Sequence, residues 1–385
     1  VPLGVLLSGG LDSSSIVSVM ARSPGKGLKS FSIGFDEKDP ELSRARKVSG
    51  LFGTENFELV FKPADIRLLP DIIHHLGEPI NLLPGLYSLA LSNRIREECV
   101  TVVLAGNGAD ELFGGYDYHN QLLGLEKVFR FSRFFPRKLF GFAASFFGAD
   151  SRIGVLLRLF AASPDKRKGE VYRRKAQGLK DSLYSDTMRH AVSGVDAGKP
   201  LDDVFNEQEG ASYFDRMLYT ELFMGNMHST VVIADVAGMM NSIEIRAPFL
   251  DHKVMEFAAS LPVEMKVPSM LDRSLNKFVM KQAMAGVLPE DIIYGRKMGF
   301  GYNIDWSQWL RGEWKPLAED ILLGRALPET GLFEMDSVRR LIDDHACGAR
   351  DNSTILWGLI TFEIWYEMYF KGRPPEKIIS EEVDV

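Results

Sequence analysis

Seven residues near the start of the chain, Ser8-Gly9-Gly10-Leu11-Asp12-Ser13-Ser14, combine the groups that hold a polyphosphate. Glycines let the backbone come close to an anion, and the first free N–H groups of a following helix point at it with the positive end of the helix dipole. The hydroxyls of Ser8, Ser13 and Ser14 can add hydrogen bonds to phosphate oxygens. Asp12 suits a magnesium ion, which prefers hard oxygen ligands and bridges phosphates. A lone Gly-Gly pair would mean only a strand-to-helix turn with a serine cap. The complete string at such a junction is a more specific signal. No segment fits Gly-x4-Gly-Lys-Ser/Thr, so a Walker-type transfer of the terminal phosphoryl group is disfavoured.

Two further residues belong with this chemistry. Asp110 follows another glycine-bearing loop, Gly106–Gly108, and can share metal ions with Asp12 at the phosphates. Lys297 lies between Arg296 and Gly299 in a late loop, where a mobile point charge can serve an α-phosphate and a departing pyrophosphate. Each has a plainer reading alone, Asp110 as a helix cap and Lys297 as a solvated lysine.

The elements that must position these residues alternate. Apolar runs at Leu3 to Leu7, Lys29 to Phe35, Asn56 to Phe61 and Val100 to Ala105 read as buried strands. Between them, Asp12 to Arg22, Pro40 to Phe52, Pro63 to Leu76 and Pro84 to Glu98 read as helices. This βαβ order calls for an α/β fold, a parallel sheet flanked by helices, with two strand ends meeting at one crevice. From Tyr118 to Met239 the pattern turns helical, with a basic aromatic piece at Phe129 to Arg137 and its least ordered part expected near Gly194 to Gly210. The tail from Val254 to Lys371 is again mainly helical. The expected division is an α/β core over 1–120, a helical region over 121–240, and a mainly helical part over 241–385 that completes the site.

Four strings occurring in one order carry a family resemblance. The Ser8–Ser14 string resembles the pyrophosphate loop of the ATP pyrophosphatase group. Leu104-Ala105-Gly106-Asn107-Gly108-Ala109-Asp110-Glu111-Leu112-Phe113-Gly114-Gly115-Tyr116, then Asn241-Ser242-Ile243-Glu244-Ile245-Arg246-Ala247-Pro248-Phe249-Leu250-Asp251-His252, then Arg296-Lys297-Met298-Gly299-Phe300-Gly301 resemble the synthetase domain of glutamine-hydrolysing asparagine synthetases. The resemblance implies an adenine nucleotide alpha hydrolase-like fold and a ligase that adenylates a carboxylate, by default the β-carboxylate of aspartate, and transfers ammonia to it with release of AMP and pyrophosphate. It implies ATP held by Ser8, Gly9, Gly10, Asp12, Ser13 and Ser14, with Mg2+ on Asp12 and Asp110 and with Lys297, Asp12 and Asp110 as the catalytic groups. The adenosine is expected against Leu6 and Ile33, with backbone contacts from Ala105 and Gly106, and the acceptor at Asn107 and Glu111. Arg246, Asp251 and Asp235 are expected to form a buried ion-pair network under the site.

The chain departs from the family at several points. An acidic residue is usual at the place of Asn107, and β-lactam-forming relatives have tyrosine. Asparagine can orient a substrate or acyl-adenylate but cannot act as a base. The segment Glu78 to Ser88 lacks the acid-plus-serine pattern of an aspartate site, offering Pro79, Asn81 and Pro84 instead. The chain opens at Val1, immediately before the first strand, without a nucleophilic cysteine ahead of it. A fragment of a longer protein is therefore expected, or a chain supplied with ammonia by a glutaminase domain or subunit. The alternatives are a related cyclase of the β-lactam or lasso-peptide type, and a nucleotide-binding regulator without catalysis.

Composition narrows the partners. With 385 residues, 45% hydrophobic and a net charge of -7, the chain offers no overall positive field for nucleic acid. Two distant cysteines, Cys99 and Cys347, give neither a disulfide framework nor a metal clip, which fits a reducing cytoplasm. No apolar run is long enough for a membrane span and no leader pattern precedes the first strand, so no membrane partner is expected. A homodimer is left open.

Overall fold

The computed structural model describes residues 1–22, 27–80, 83–132, 134–147, 151–295 and 306–379. Its sheet is built from β1 (Leu3–Leu6), β2 (Lys29–Gly34), β3 (Glu55–Val60), β4 (Val102–Leu104) and β5 (Glu244–Arg246), all parallel, in the spatial order β3-β2-β1-β4-β5. The helices between them are α1 (Leu11–Met20), α2 (Pro40–Phe52), α3 (Leu69–Leu76, entered through a 3-10 turn at Pro63–Leu68) and α4 (Pro84–Glu97). The four strands expected from the apolar runs are present: β1, β2 and β4 are trimmed by one to three residues, and β3 is shifted one residue toward the N-terminus.

Local chemistry sets the helix ends. Asp39 caps α2, its carboxylate accepting from the Glu41 and Phe35 amides at 2.8 and 3.1 Å, and Pro40 supplies a preset φ at the first position. After β4 a short helix α5 (Ala109–Phe113) leads into α6 (Asp117–Ser132), α7 (Arg137–Ser145) and α8 (Arg152–Ala161). The apolar side chains of β2 and β3, including Phe31, pack with Trp314, Trp357 and Ile364 from the late helices in one buried cluster. A second cluster joins Val5 of β1 and Leu7 just after it to Val17, Val48 and Ile292. Sequence-distant segments thus share the interior on both sides of the sheet.

Three expectations are corrected. The stretch 194–210 contains a helix, Lys199–Glu207, anchored by buried Phe205 and by Asp202, which accepts from the Gly169 amide at 2.7 Å. Its glycines and Pro200 signalled the helix boundaries rather than disorder. Second, β5 was not expected, because three residues, Glu-Ile-Arg, are too short to show a period. Third, Arg246 is not buried: on the edge strand β5 alternate side chains face solvent, and its guanidinium pairs with Glu244 at 2.7 and 3.0 Å. Asp251 instead caps the helix His252–Ser260 through the Lys253 amide at 2.9 Å, and Asp235 is exposed. No network joins these three residues. Among the described residues no helix is long and apolar enough to cross a membrane.

Candidate active site

Strand order places the site. The chain winds outward from β1 through β2 to β3, then returns to lay β4 on the other side of β1, with Leu3 opposite Val102 and Val5 opposite Leu104. Loops leaving the carboxyl ends of β1 and β4 therefore diverge and leave a crevice, the usual ligand position in an open parallel sheet. A cavity of about 720 Å³ lies there.

The first loop is shaped by its own hydroxyls. Gly9 takes φ +70, and a Cβ at that position would run into the backbone of Arg44 on α2, so glycine is required. Ser8 Oγ lies 3.1 Å from Ser13 Oγ and accepts from the Gly10 amide at 3.4 Å, while Ser13 Oγ accepts from the Ser8 amide at 3.3 Å. Gly10 stands at the N-terminus of α1 with no side chain capping it. The start of the helix thus keeps its amides directed at the cavity, the arrangement that favours an anion.

Asp12, in the first turn of α1, and Asp110, in α5, approach each other as expected. Between them stands Lys277. Its Nζ lies 2.6 Å from both carboxylate oxygens of Asp12 and 2.7 Å from Asp110 Oδ1. Burial alone would depress this lysine, but Asp110 and Asp12 outweigh burial and hold it above the usual lysine range. The ammonium is thus firmly charged. Lys277 adopts a left-handed backbone, φ +56, just before the helix Phe278–Met284. Its neighbour Asn276 donates to the Tyr116 carbonyl at 3.1 Å, tying the lysine's loop to the loop after β4. Gly115 completes the fit: a Cβ there would overlap both the Asp110 carboxylate and the Lys277 stem.

Other charges surround the cavity. Arg44, Arg273 and Lys281 line it, and Lys281 Nζ donates to the Ser274 carbonyl at 2.5 Å. Glu41 also lines it, and burial with a contribution from Asp39 pushes its carboxyl up to about 7 against the pull of Arg44. Glu111 is buried and accepts the Tyr116 hydroxyl. Behind it His119 Nε2 sits 2.8 Å from Glu221, in a π-helix running Glu221–Val231.

Leu6, Ser8, Gly10, Asp12, Ser13, Ile33, Ala105, Gly106, Asn107, Asp110 and Glu111 all line the cavity. Gly9 and Ser14 do not line it. Gly9 backs onto α2, and Ser14 is fully buried with an Oγ that has no hydrogen-bond partner among the described residues. Ala105 spends its amide on the Arg246 carbonyl at 2.8 Å, which leaves its carbonyl for a ligand. Lys297 and Asn81 lie outside the described residues. Pro84 and Ser88 of α4 reach the cavity wall.

Sequence reading missed Lys277, Lys281 and Arg273. The available signal was a pair of lysines four residues apart at a helix start, a spacing that puts both on one face.

Against this geometry stand the comparisons with known proteins. The family model described as asparagine synthase matches residues 1–367. The chain belongs to the asparagine synthase family. Among curated relatives, glutamine-hydrolyzing asparagine synthetase 1 of Bacillus subtilis (strain 168) is 29% identical over 388 residues, covering 100% of this chain and 59% of that protein. A putative glutamine-hydrolyzing asparagine synthetase of Mycobacterium tuberculosis (strain ATCC 25618 / H37Rv) is 29% identical over 392 residues, covering 100% of this chain and 57% of the relative. Asparagine synthetase 3 of Bacillus subtilis is 26% identical over 342 residues, covering 81% and 48% respectively. The chain spans a little under three fifths of the length of the first two of these asparagine synthases. Family membership agrees with the parallel sheet flanked by helices.

Proposed function

We propose that this asparagine synthase-family chain activates a carboxylate with ATP and converts it to an amide. The single observation that carries the proposal is the Asp12–Lys277–Asp110 cluster set against the open N-terminus of α1. A helix terminus with hydroxyl-bearing loops suits the β- and γ-phosphates, and Leu6 with Ile33 forms an apolar wall for the base. The α-phosphorus then faces the acceptor side of the cavity, where Asn107 stands.

An acceptor carboxylate oxygen attacks the α-phosphorus, the bond from that phosphorus to the bridging oxygen breaks, and pyrophosphate leaves. Ammonia then attacks the acyl carbon, its proton passes to solvent, the carbon–oxygen bond breaks and AMP departs. The transition state of the first step concentrates negative charge on the transferred phosphate and the leaving group. Positioned cations stabilise that charge better in a water-poor cavity than in bulk solvent. Lys277 is such a cation, and Lys297 is proposed as a second. Asn107 orients the acceptor and takes no proton.

Two carboxylates beside a phosphate cradle fit the donor chemistry of magnesium, so Asp12 and Asp110 are the residues that would hold Mg2+. When bound, that ion supplies charge neutralisation to the leaving pyrophosphate. Aspartate is proposed as the acceptor, with ammonia delivered by a glutaminase domain or subunit.

The test is product analysis with ATP, magnesium, ammonium and a panel of amino acids. AMP and pyrophosphate formed only with one acceptor support the reading, and ADP with orthophosphate refutes it.

A further inference from the structure

Outside the cavity, the hairpin of α7 and α8 carries a second surface that the proposed reaction does not use. The hairpin, residues 137–161, holds four basic residues, Arg137, Lys138, Arg152 and Arg158, against one acidic residue, Asp150, within a chain of net charge -7. It also holds five of the chain's 25 phenylalanines.

The hairpin is a folded unit with an inner and an outer face. Inward, Phe160 packs edge-on against Phe129 with ring centroids 5.1 Å apart, and Ala144 is buried. Arg158 of α8 closes the end of α7, donating to the Ala144 and Phe147 carbonyls at 3.3 and 3.2 Å. Outward, Leu139, Phe142, Phe146 and Ile153 are 58%, 67%, 72% and 55% exposed. Phe142 and Phe146, one helical turn apart, stack edge to face at 5.0 Å on that outer face. Arg137 and Lys138 beside them are exposed. Scattered apolar residues on a surface need no explanation, but a pair of exposed, mutually packed phenylalanines on a helix that opens with two exposed cations does.

We propose that the α7–α8 hairpin docks on the surface of an anionic phospholipid bilayer, with Leu139, Phe142, Phe146 and Ile153 entering the boundary of headgroups and acyl chains. Arg137 and Lys138 then meet lipid phosphates. Charge complementarity decides between occupants. A face-to-face contact with a second copy would set two surfaces of net positive charge against each other, which like-charge repulsion disfavours. An anionic lipid surface attracts each cation and admits the aromatic tips. The sequence expectation of no membrane partner rested on the lack of a span and of a leader pattern, and a helix lying in the interface needs neither.

The test is cosedimentation of the chain with vesicles of phosphatidylcholine alone and of equal parts phosphatidylcholine and phosphatidylglycerol. Binding is expected only to the anionic vesicles and should weaken as salt is raised. The double variants Phe142→Ser/Phe146→Ser and Arg137→Ala/Lys138→Ala should each bind about tenfold or more weakly while folding normally. Equal binding to both vesicle types, or variants that bind like the parent, overturns the proposal. So does a parent that forms dimers in solution which the phenylalanine variant abolishes, since that assigns the face to a second copy.

Discussion

Lys277 Nζ stands 2.6 Å from both carboxylate oxygens of Asp12, although the two residues are 265 positions apart in the chain. Lys277 is buried and Asp12 half-buried, so both the formation and the loss of the contact carry weight. Removing one partner of such a pair leaves an uncompensated charge away from water.

Lys277→Ala is therefore expected to destabilise the fold by about 3 kcal/mol and to lower ATP–pyrophosphate exchange by about 100-fold or more. Adding Asp12→Asn to this variant should return part of the stability and none of the activity. Urea unfolding and exchange assays separate the two effects. A Lys277→Ala protein with full exchange activity would remove the lysine from the mechanism.

Gly115→Ala tests the packing around that cluster without changing a charge. The added methyl must displace the Asp110 carboxylate and the Lys277 stem. Exchange should fall by about tenfold or more, since small displacements of charged groups near a reacting centre are costly. Wild-type rates in this variant would mean that the cluster tolerates movement and is not preorganised.

Asn107→Ala should raise the KM for the acceptor acid while leaving the KM for ATP within about twofold, because a residue that orients one substrate removes binding of that substrate alone. A selective rise for ATP would place Asn107 at the nucleotide instead.

Stability should also depend on pH through Glu363, far from the cavity. Its Oε1 accepts from the Ala326 amide at 2.7 Å, and its Oε2 has no partner among the described residues. Burial pushes its carboxyl from an ordinary 4.5 up to about 7. Between those values the unfolded chain releases a proton that the native chain keeps, so this group costs stability as pH rises from 4.5 to 7 and changes nothing further above. Glu363→Gln keeps the contact with Ala326 and removes the titration. At pH 8 it should exceed the parent by up to about 3 kcal/mol and at pH 4 match it, as read by urea midpoints. An equal offset at both pH values would contradict the assignment.

How much of this was legible in the residues follows from the range of each signal. β1 through β4 and the helices between them announce themselves in apolar runs ended by glycine or proline turns, because strands covered by helices must be rich in apolar residues. The Ser8–Ser14 loop and Asp110 were legible for the same local reason: their chemistry is contained in a few adjacent residues. Lys277 was not, since nothing near it in sequence shows that it meets two carboxylates from the first third of the chain. β5 escaped because a three-residue edge strand shows no periodicity, and Arg246 was misplaced with it. The helix Lys199–Glu207 escaped because glycine and proline mark helix ends and loops alike.

The sheet order has a consequence for synthesis. β1, its loop and Asp12 leave the ribosome long before their partners: the strand that closes the far edge ends at Arg246 and the cation that neutralises Asp12 arrives at residue 277. Pairings so distant along a polymer form slowly, and domains fold as units once their segments are available. A nascent chain halted before Lys277 emerges therefore has its two aspartates without the cation they share, left repelling one another.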